Sequence, residues 1–343
     1  MIDSKKLVTC LKKARTEVEL LKEFSVSKME LKMSLKRVME GHELFVLYDA
    51  DGRPFYRYCA LPEKLEIKPR IWQCALSSDE RIPYQVINFP DDLPWKRLTV
   101  VPLYDVQWGS TGHDEKKLNE YIQFIAKTEN AFGFLGGDVL QNALINSPGG
   151  SVFDQSIRPK EQGPTFVKKF QPIAHKLLWA LTGNHEARTE KVADINPLTF
   201  VCRDLNVPYF DQPAYTDINW KGHTFRFFSQ HGTSGANTPG GRVNAAMRPI
   251  VFTNFTHFYV MGHVNDVFAN PTIRTCRERI YEEKNGKKVL KEIRLVERPQ
   301  YIIIAPSFET YHGTYAARAA LTPFATGDVS CRLNADGSYE VTE

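Results

Sequence analysis

No apolar run in the chain approaches the roughly 20 residues that a bilayer-spanning helix needs; the longest are of strand length. Nor does it open on the apolar core of a signal peptide, since Met1-Ile-Asp-Ser-Lys-Lys mixes acid and base at once. Internal repeats and low-complexity tracts are missing. Cysteine is sparse: six in 343 residues, at Cys10, Cys59, Cys74, Cys202, Cys276 and Cys331, with no CxxC pair and no clustering. These absences argue against a membrane-spanning protein, a disulfide-built scaffold and a cysteine-based zinc site, and they predict a cytoplasmic protein. A hydrophobic content of 42% suffices for a sizeable core, and 343 residues exceed the usual single domain, so one large domain and a small one are expected.

The chain does have five short polar blocks, each behind an apolar, β-branched or aromatic run of strand length. Arg97–Tyr104 leads into Asp105-Val106-Gln107, and Ala131–Leu135 into Gly136-Gly137-Asp138. Lys176–Thr182 leads into Gly183-Asn184-His185-Glu186, Phe225–Ser229 into Gln230-His231-Gly232, and His257–Met261 into Gly262-His263-Val264-Asn265. Side chains at the C-terminal ends of several strands of one sheet converge, and glycine lets backbone approach a cation or phosphate closely. Singly, each block is ordinary turn chemistry, and a buried histidine is more often a core residue than a ligand. Together they supply carboxylate, amide and imidazole donors. Two-cation phosphoester cleavage needs such a set: cations about 3.5–4 Å apart neutralise phosphate oxygens and turn a water into hydroxide. Asp138 is the natural bridging carboxylate, with Asp105, Asn184, His231 and His263 as further donors. His185, beside a ligand, is free to act on the leaving oxygen.

In these blocks the chain resembles the calcineurin-like metallophosphoesterase superfamily, whose signature runs D-x-H, GD, GNH, H, GHxH in this order. The resemblance spans about residues 97–310. It implies an α/β fold, a four-layer αββα sandwich with a dinuclear site at the sheet edge. One metal would take Asp105, Gln107, Asp138 and Asn265, the other Asp138, Asn184, His231 and His263, and His185 would protonate the leaving group. Gln107 and Asn265 stand where the family usually has histidine, and both departures fall on the same metal. The implied cofactor is a pair of divalent ions, Mn²⁺ first, with Mg²⁺, Fe or Zn²⁺ as alternatives. His113, Arg188 and His312 are candidates for facing substrate.

The N-terminal region has a different texture. Lys5–Lys13 and Thr16–Phe24 read as helices. Ser27 and Glu30 form a capping box opening a third, with Leu31, Leu35 and Val38 as its apolar stripe and Gly41 as its stop. A β-hairpin follows, His42–Tyr48 and Pro54–Tyr58 around Asp49–Gly52. This is the order of a winged helix-turn-helix, whose third helix enters the major groove. Lys28, Lys32 and Lys36 lie a turn apart on that helix with Arg37 beside them, a ridge able to neutralise phosphates. The same ridge could equally be a plain solvated face or a protein contact. The expected division is a winged-helix-like module at 1–60, a linker and lead-in at 61–96 that holds a first strand or two of the catalytic domain, and the catalytic domain at 97–343.

A second basic element, Arg274–Arg298, alternates as two strands around Asn285-Gly286, a strong hairpin signal, and carries nine Lys and Arg against five Glu. Residues 146–164, rich in turn formers, read as a loop over the site. The two basic elements favour DNA as partner and a nuclease on the SbcD-type and double-strand-break-repair branch of the resemblance. The alternatives are a phosphatase or phosphodiesterase of small nucleotides or phosphoproteins, and a binding protein whose metal site has decayed at Gln107 and Asn265. No membrane partner is expected, and a homodimer is left open.

Overall fold

The structure, a computed structural model, describes residues 2–11, 15–39, 43–48, 54–59, 67–79, 81–145, 147, 155–211, 213–236, 238–284, 286–311, 317 and 328–342. The chain divides into two units, Met1–Glu66 and Ile67–Glu343.

The first unit runs α1 (Ser4–Leu11), β1 (Arg15–Thr16), α2 (Glu17–Phe24), α3 (Lys28–Met39), β2 (Glu43–Tyr48) and β3 (Pro54–Cys59). Two capping boxes start α2 and α3. Thr16 Oγ1 accepts from the Glu19 N–H at 3.2 Å while Glu19 accepts from the Thr16 N–H at 2.8 Å. Ser27 and Glu30 repeat the exchange at 3.3 and 3.1 Å. Leu7, Leu11, Leu20, Leu31 and Leu35 are buried together beneath the helices. The strands form an antiparallel sheet in the order β1-β3-β2. The expected hairpin therefore gains a third strand, and β1 is too short to leave a period in the sequence.

The second unit contains β4 (Gln73–Leu76), β5 (Tyr84–Asn88), β6 (Arg97–Leu103), α4 (Glu115–Lys127), β7 (Ala131–Leu135), α5 (Pro159–Phe170) and β8 (Leu177–Leu181). It continues with α6 (Glu186–Ala193), α7 (Pro197–Leu205), β9 (Tyr209–Phe210), β10 (Ala214–Trp220), β11 (His223–Gln230), α8 (Pro239–Met247) and β12 (Phe258–Met261). The last strands are β13 (Phe268–Lys284), β14 (Lys287–Ile304), β15 (Ser330–Asn334) and β16 (Tyr339–Thr342). The fold is mixed α/β with two mixed sheets, β13-β14-β12-β11-β10-β5-β4 and β16-β15-β6-β7-β8-β9. Residues 73–76 and 84–88, the first strands expected in the lead-in, are strands of the seven-stranded sheet and belong to the unit that begins at residue 67.

Strands β6, β7 and β8 are parallel neighbours with almost unbroken burial, which is why they read as continuous apolar runs. Strand β10 instead alternates buried and half-buried positions. Side chains from both sheets meet in one cluster, including Val100, Phe132, Phe134 and Trp179 from one and Ile218, Phe227, Phe258 and Ile303 from the other. Hydrogen bonds cross between the sheets: Trp179 Nε1 donates to Ser229 Oγ at 3.1 Å, the Tyr104 hydroxyl to the Val260 carbonyl at 3.2 Å, and the Tyr339 hydroxyl to the Pro299 carbonyl at 2.7 Å. Ala245 and Ala246 of α8 pack with Phe228, Tyr259, Met261 and Ile302, and α4 packs on β7.

Two expectations shift. Residues 159–164 belong to α5 and not to a loop: Pro159 sets its first turn, and buried Gln162, Phe166, Val167 and Phe170 anchor one face. Residues 148–154 of that segment lie outside the described residues. The basic hairpin is longer than 274–298. Strands β13 and β14 have 17 and 18 residues, and β14 joins β12 only through Tyr301–Ile304. Beyond that seam the pair is a two-stranded ribbon. No helix among the described residues is long and apolar enough to cross a membrane.

Candidate metal centre

Each expected ligand lies just past a strand: Asp105 after β6, Asp138 after β7, Asn184 after β8, His231 after β11 and His263 after β12. The backbone there is unusual. Asp105, Gln107, Asp138, Asn142, His263 and Asn265 all adopt left-handed conformations, with φ between +40° and +68°. Each such residue stores strain on the order of 1 kcal/mol or more, tolerated where surrounding contacts fix it. Two glycines permit the convergence. A Cβ on Gly183 would collide with the Asp138 backbone nitrogen and Oδ1, and one on Gly137 (φ +92°) would meet His231 Nδ1 at 2.7 Å.

The imidazole half closes on one point. Ligand atoms of Asp138, His231 and His263 lie within 4.8 Å of one another. His231 Nδ1 faces the Gly136 carbonyl at 3.1 Å, while Nε2 faces Asp138 Oδ2 at 3.2 Å and Asn184 Oδ1 at 3.0 Å. A ring nitrogen aimed at two oxygens needs a proton or a cation between them. Burial opposes charging His231, but Asp138, Asp105 and Glu186 outweigh it and lift its pKa to about 10. Burial would raise Asp138, yet His185 and His231 hold it well below the usual carboxylate range. The His263 ring is pushed down by burial and then by His231. The backbone N–H of His185 donates to Asp138 Oδ1 at 2.8 Å, and its Nε2 lies 3.5 Å from Asp138 Oδ2. Burial drives His185 down to about 4 against the pull of Asp138, and its Nδ1 is buried without a partner.

The oxygen half is looser. Asp105 Oδ2 accepts from the His263 N–H at 2.8 Å. Burial raises Asp105 to about 7, with His231 opposing and Asp138 adding. Gln107 is buried, and its amide is satisfied with the nitrogen toward Glu309 Oε1 and Oε2 (3.0 and 3.1 Å) and Gln141 Oε1 (3.1 Å). Asn265 Oδ1 is buried with no hydrogen-bond partner.

Several supporting residues had no role in the sequence reading. Glu186 is fully buried and accepts the backbone N–H groups of Asp138, Leu140 and Gly183 at 3.1, 2.8 and 2.9 Å. One carboxylate thus ties together the loops after β7 and β8. Its place in the Gly183–Glu186 block was the available signal. Asn142 donates to the His185 carbonyl at 2.8 Å, and fully buried Gln162 accepts from the Asn142 N–H at 2.8 Å. No pattern in the sequence marks that pair.

The donor set fits divalent cations. The three buried carboxylates Asp105, Asp138 and Glu186 face two cationic groups, His231 and Arg188, and the buried amide oxygen Asn265 Oδ1 has no hydrogen-bond partner among the described residues. Asp138, Asn184, His231 and His263 can hold one ion, and Asp105, Asp138 and Asn265, with Gln107 alongside, a second.

The other candidates fall at different places. Half-buried Arg188 donates to the Gln141 carbonyl at 3.2 Å and acts on Asp138 and Glu186. His113 directs Nδ1 at the Val106 carbonyl (2.8 Å) and packs edge-on against Trp108, and its Nε2 is buried without a hydrogen-bond partner among the described residues. Buried His257 accepts the Arg226 N–H on Nδ1 at 2.8 Å and is structural. His312 and the side chains of Lys36 and Arg37 lie outside the described residues. Lys28 pairs with Glu17 at 2.9 Å, and Lys32 is exposed. No model of a known protein family matches the chain, and no curated protein matches it.

Proposed function

We propose that the chain is a metal-dependent phosphodiesterase of the calcineurin-like metallophosphoesterase type, acting as a DNA nuclease in the cytoplasm. On this reading its two large sheets and their helices are the four-layer αββα sandwich, and the first unit is a winged helix-turn-helix-like module. One observation carries the proposal: Asp138, His231 and His263 offer ligand atoms within 4.8 Å of one another, at strand ends drawn from both sheets. The cofactor is a pair of divalent ions, Mn²⁺ first.

Two divalent cations held there would neutralise the phosphodiester and make water a nucleophile near neutral pH. The protein's own tasks follow from the geometry. Asp138, held ionised beside His231, is the shared ligand. Gly136 fixes the His231 ring so that Nε2 faces the centre, as backbone carbonyls do for ligating histidines. Glu186 holds the two loops in register. Asn142 fixes the His185 backbone, so the ring stays beside Asp138 and delivers its proton to the leaving oxygen. Burial pushes that ring down to about 4, and an incoming phosphate anion pulls it back toward its protonated form.

DNA is supported by the order of elements in the first unit, by exposed Lys32 and by the ribbon, where Arg277 and Arg279 are exposed. The basic track is partly neutralised, since Glu278 pairs with Arg294 and Arg298 at 3.1 Å each. One observation favours a second reading, a phosphatase or small-nucleotide phosphodiesterase whose module docks a protein: Met29 and Met33 are 70% and 54% exposed beside Lys32.

Cleavage of labelled single- and double-stranded DNA with Mn²⁺, together with the salt dependence of binding, tests the proposal. A nuclease loses DNA affinity steeply with salt. Replacing Lys28, Lys32 and Lys36 by Glu should flatten that dependence and leave hydrolysis of a small chromogenic phosphodiester unchanged. Absence of metal-dependent turnover of any phosphodiester would overturn the enzymatic reading.

A further inference from the structure

We infer that the buried Arg242–Asp266 ion pair is the positioning device of the imidazole half: one guanidinium ties the loop that follows β11 to the loop that follows β12, and so sets His263 against His231. The inference rests on the dinuclear reading proposed above.

Two ligands of this half stand on separate loops. His231 opens the stretch between β11 and α8, and His263 lies in the stretch between β12 and β13. Their rings meet edge to face with centroids 5.1 Å apart, so the spacing of the loops is the spacing of the donors. Arg242, near the start of α8, reaches both loops. Its Nε donates to the Ala236 carbonyl in the first loop at 3.2 Å. Its Nη1 donates to Asp266 Oδ2 in the second, just past His263, at 3.0 Å. Asp266 is held in turn, since its Oδ1 accepts the Val267 N–H at 2.9 Å. Val264 packs in one cluster with Ala245 and Ala246 of α8, so the helix grips the ligand loop by an apolar and a polar contact.

The second loop needs holding. His263 and Asn265 both lie in the left-handed region, at φ +68° and +48°, and strained backbone of this kind persists only where surrounding contacts fix it. The His263 N–H is fixed by Asp105 Oδ2 at 2.8 Å, and the Gly262 N–H by the His231 carbonyl at 3.1 Å. Those bonds secure the entry of the loop; Asp266 is its exit, and Arg242 secures that. Stability alone gives a weak reason for the pair. Arg242 is 5% exposed, its charge sits toward the positive end of the α8 dipole, and a buried ion pair can often be exchanged for apolar residues without loss. Apolar residues would not supply direction, whereas the planar guanidinium fixes two oxygens on different loops at once.

Calorimetric titration of the metal-free full chain with Mn²⁺, without substrate, tests the assignment. Arg242→Met should weaken the tighter Mn²⁺ by about 10–100-fold, the scale on which the surroundings of ligands tune metal affinity. Arg242→Lys, able to reach one oxygen but not both, should fall between that variant and wild type. The double variant Arg242→Met/Asp266→Leu leaves no charge unpaired, and it should lose the same affinity while melting like wild type. Thermal melting in chelator reports whether each variant folds; if Arg242→Met alone does not, the double variant and Arg242→Lys carry the test. Leu98→Ala, in the buried core at the end of β6 opposite Asp105, is the control for lost stability alone. With Co²⁺ in place of Mn²⁺, the visible absorption of the bound ion should change in Arg242→Met and stay as in wild type in Leu98→Ala. Wild-type Mn²⁺ affinity in the double variant, or an equal loss in Leu98→Ala, would overturn the inference and leave the dinuclear centre intact. A wild type that binds no Mn²⁺ would overturn the dinuclear reading itself.

Discussion

The imidazole half and the oxygen half of the centre share Asp138 and little else. Around His231 every donor is already aimed: a backbone carbonyl holds one ring nitrogen, and the other faces Asn184 and Asp138 at 3.0 and 3.2 Å. Around Asp105 the donors are oxygens, one amide is engaged with its neighbours, and one amide oxygen has no partner. On the proposed reading the first half is arranged before any ion arrives, because its donors already converge on His231 Nε2. The second holds surplus negative charge and gains its order from what binds. Preorganised imidazole donors hold an ion tightly and accept Zn²⁺ or Fe as well as Mn²⁺, whereas a hard oxygen set binds more weakly and selects Mn²⁺ or Mg²⁺. The difference therefore separates affinity from selectivity within a single site.

The largest effect should come from removing what the halves share. Asp138→Asn is expected to lose both ions and all turnover, with metal content measured after desalting. Retention of one tight equivalent would mean the halves are independent and Asp138 bridges nothing. Next in size is His185→Ala, since His185 belongs to neither half. It should lower turnover by about 10²–10⁴-fold, the range of general acid catalysis, while both ions stay bound. Lost metal would make it a ligand.

A smaller effect separates the halves directly. A Mn²⁺ titration should show two unequal sites, the weaker emptying on dialysis, so that activity needs added Mn²⁺. Gln107→His should tighten the weak site by on the order of tenfold, the scale at which ligand surroundings tune metal affinity. Two equally tight sites in the wild type would erase the distinction. A last effect, on stability and not on metal affinity, lies away from the candidate centre. Burial, with Arg226 and Arg298, pushes His257 down to about 3. The unfolded chain then binds more protons between roughly pH 6.5 and 3, so stability falls as pH drops through that window, by at most about 1.4 kcal/mol per unit. Denaturant titrations should show a shallower acid loss for His257→Gln. An unchanged slope would place the acid sensitivity elsewhere, the candidate centre included.

The ligand positions were legible because strands buried on both faces read as unbroken apolar runs, so their ends are sharp: Ala131–Leu135 ends where the sequence placed it, and Arg97–Leu103 and Leu177–Leu181 end one residue before the expected Tyr104 and Thr182. The third helix and the hairpin of the first unit were legible from a cap and turn residues, Ser27 with Glu30 and Asp49–Gly52, whereas the capping box of Thr16 with Glu19 emerged only in the structure. What was not legible depends on partners distant in sequence. Arg15–Thr16 is a strand only because it pairs with Phe55 and Tyr56. Helix α5 looked like a loop because Pro159, Gly163 and Pro164 mask the stripe formed by Gln162, Phe166 and Phe170. Asn142 and Gln162 matter through hydrogen bonds that join segments 20 residues apart, and no local pattern records those.

The left-handed backbone of the centre also filters which substitutions can arise there. Asn, Asp and His tolerate that conformation better than other residues with a Cβ, and they are also metal donors. Five of the six left-handed positions, Asp105, Asp138, Asn142, His263 and Asn265, hold one of those types. Exchange among them changes the coordination chemistry while leaving the loop intact, so a site of this build can drift between metals without first unfolding. Gln107, at φ +47°, is the exception. It is the one place where easing the backbone and restoring an imidazole call for the same replacement, which makes it the shortest mutational route from a weak second site to a strong one.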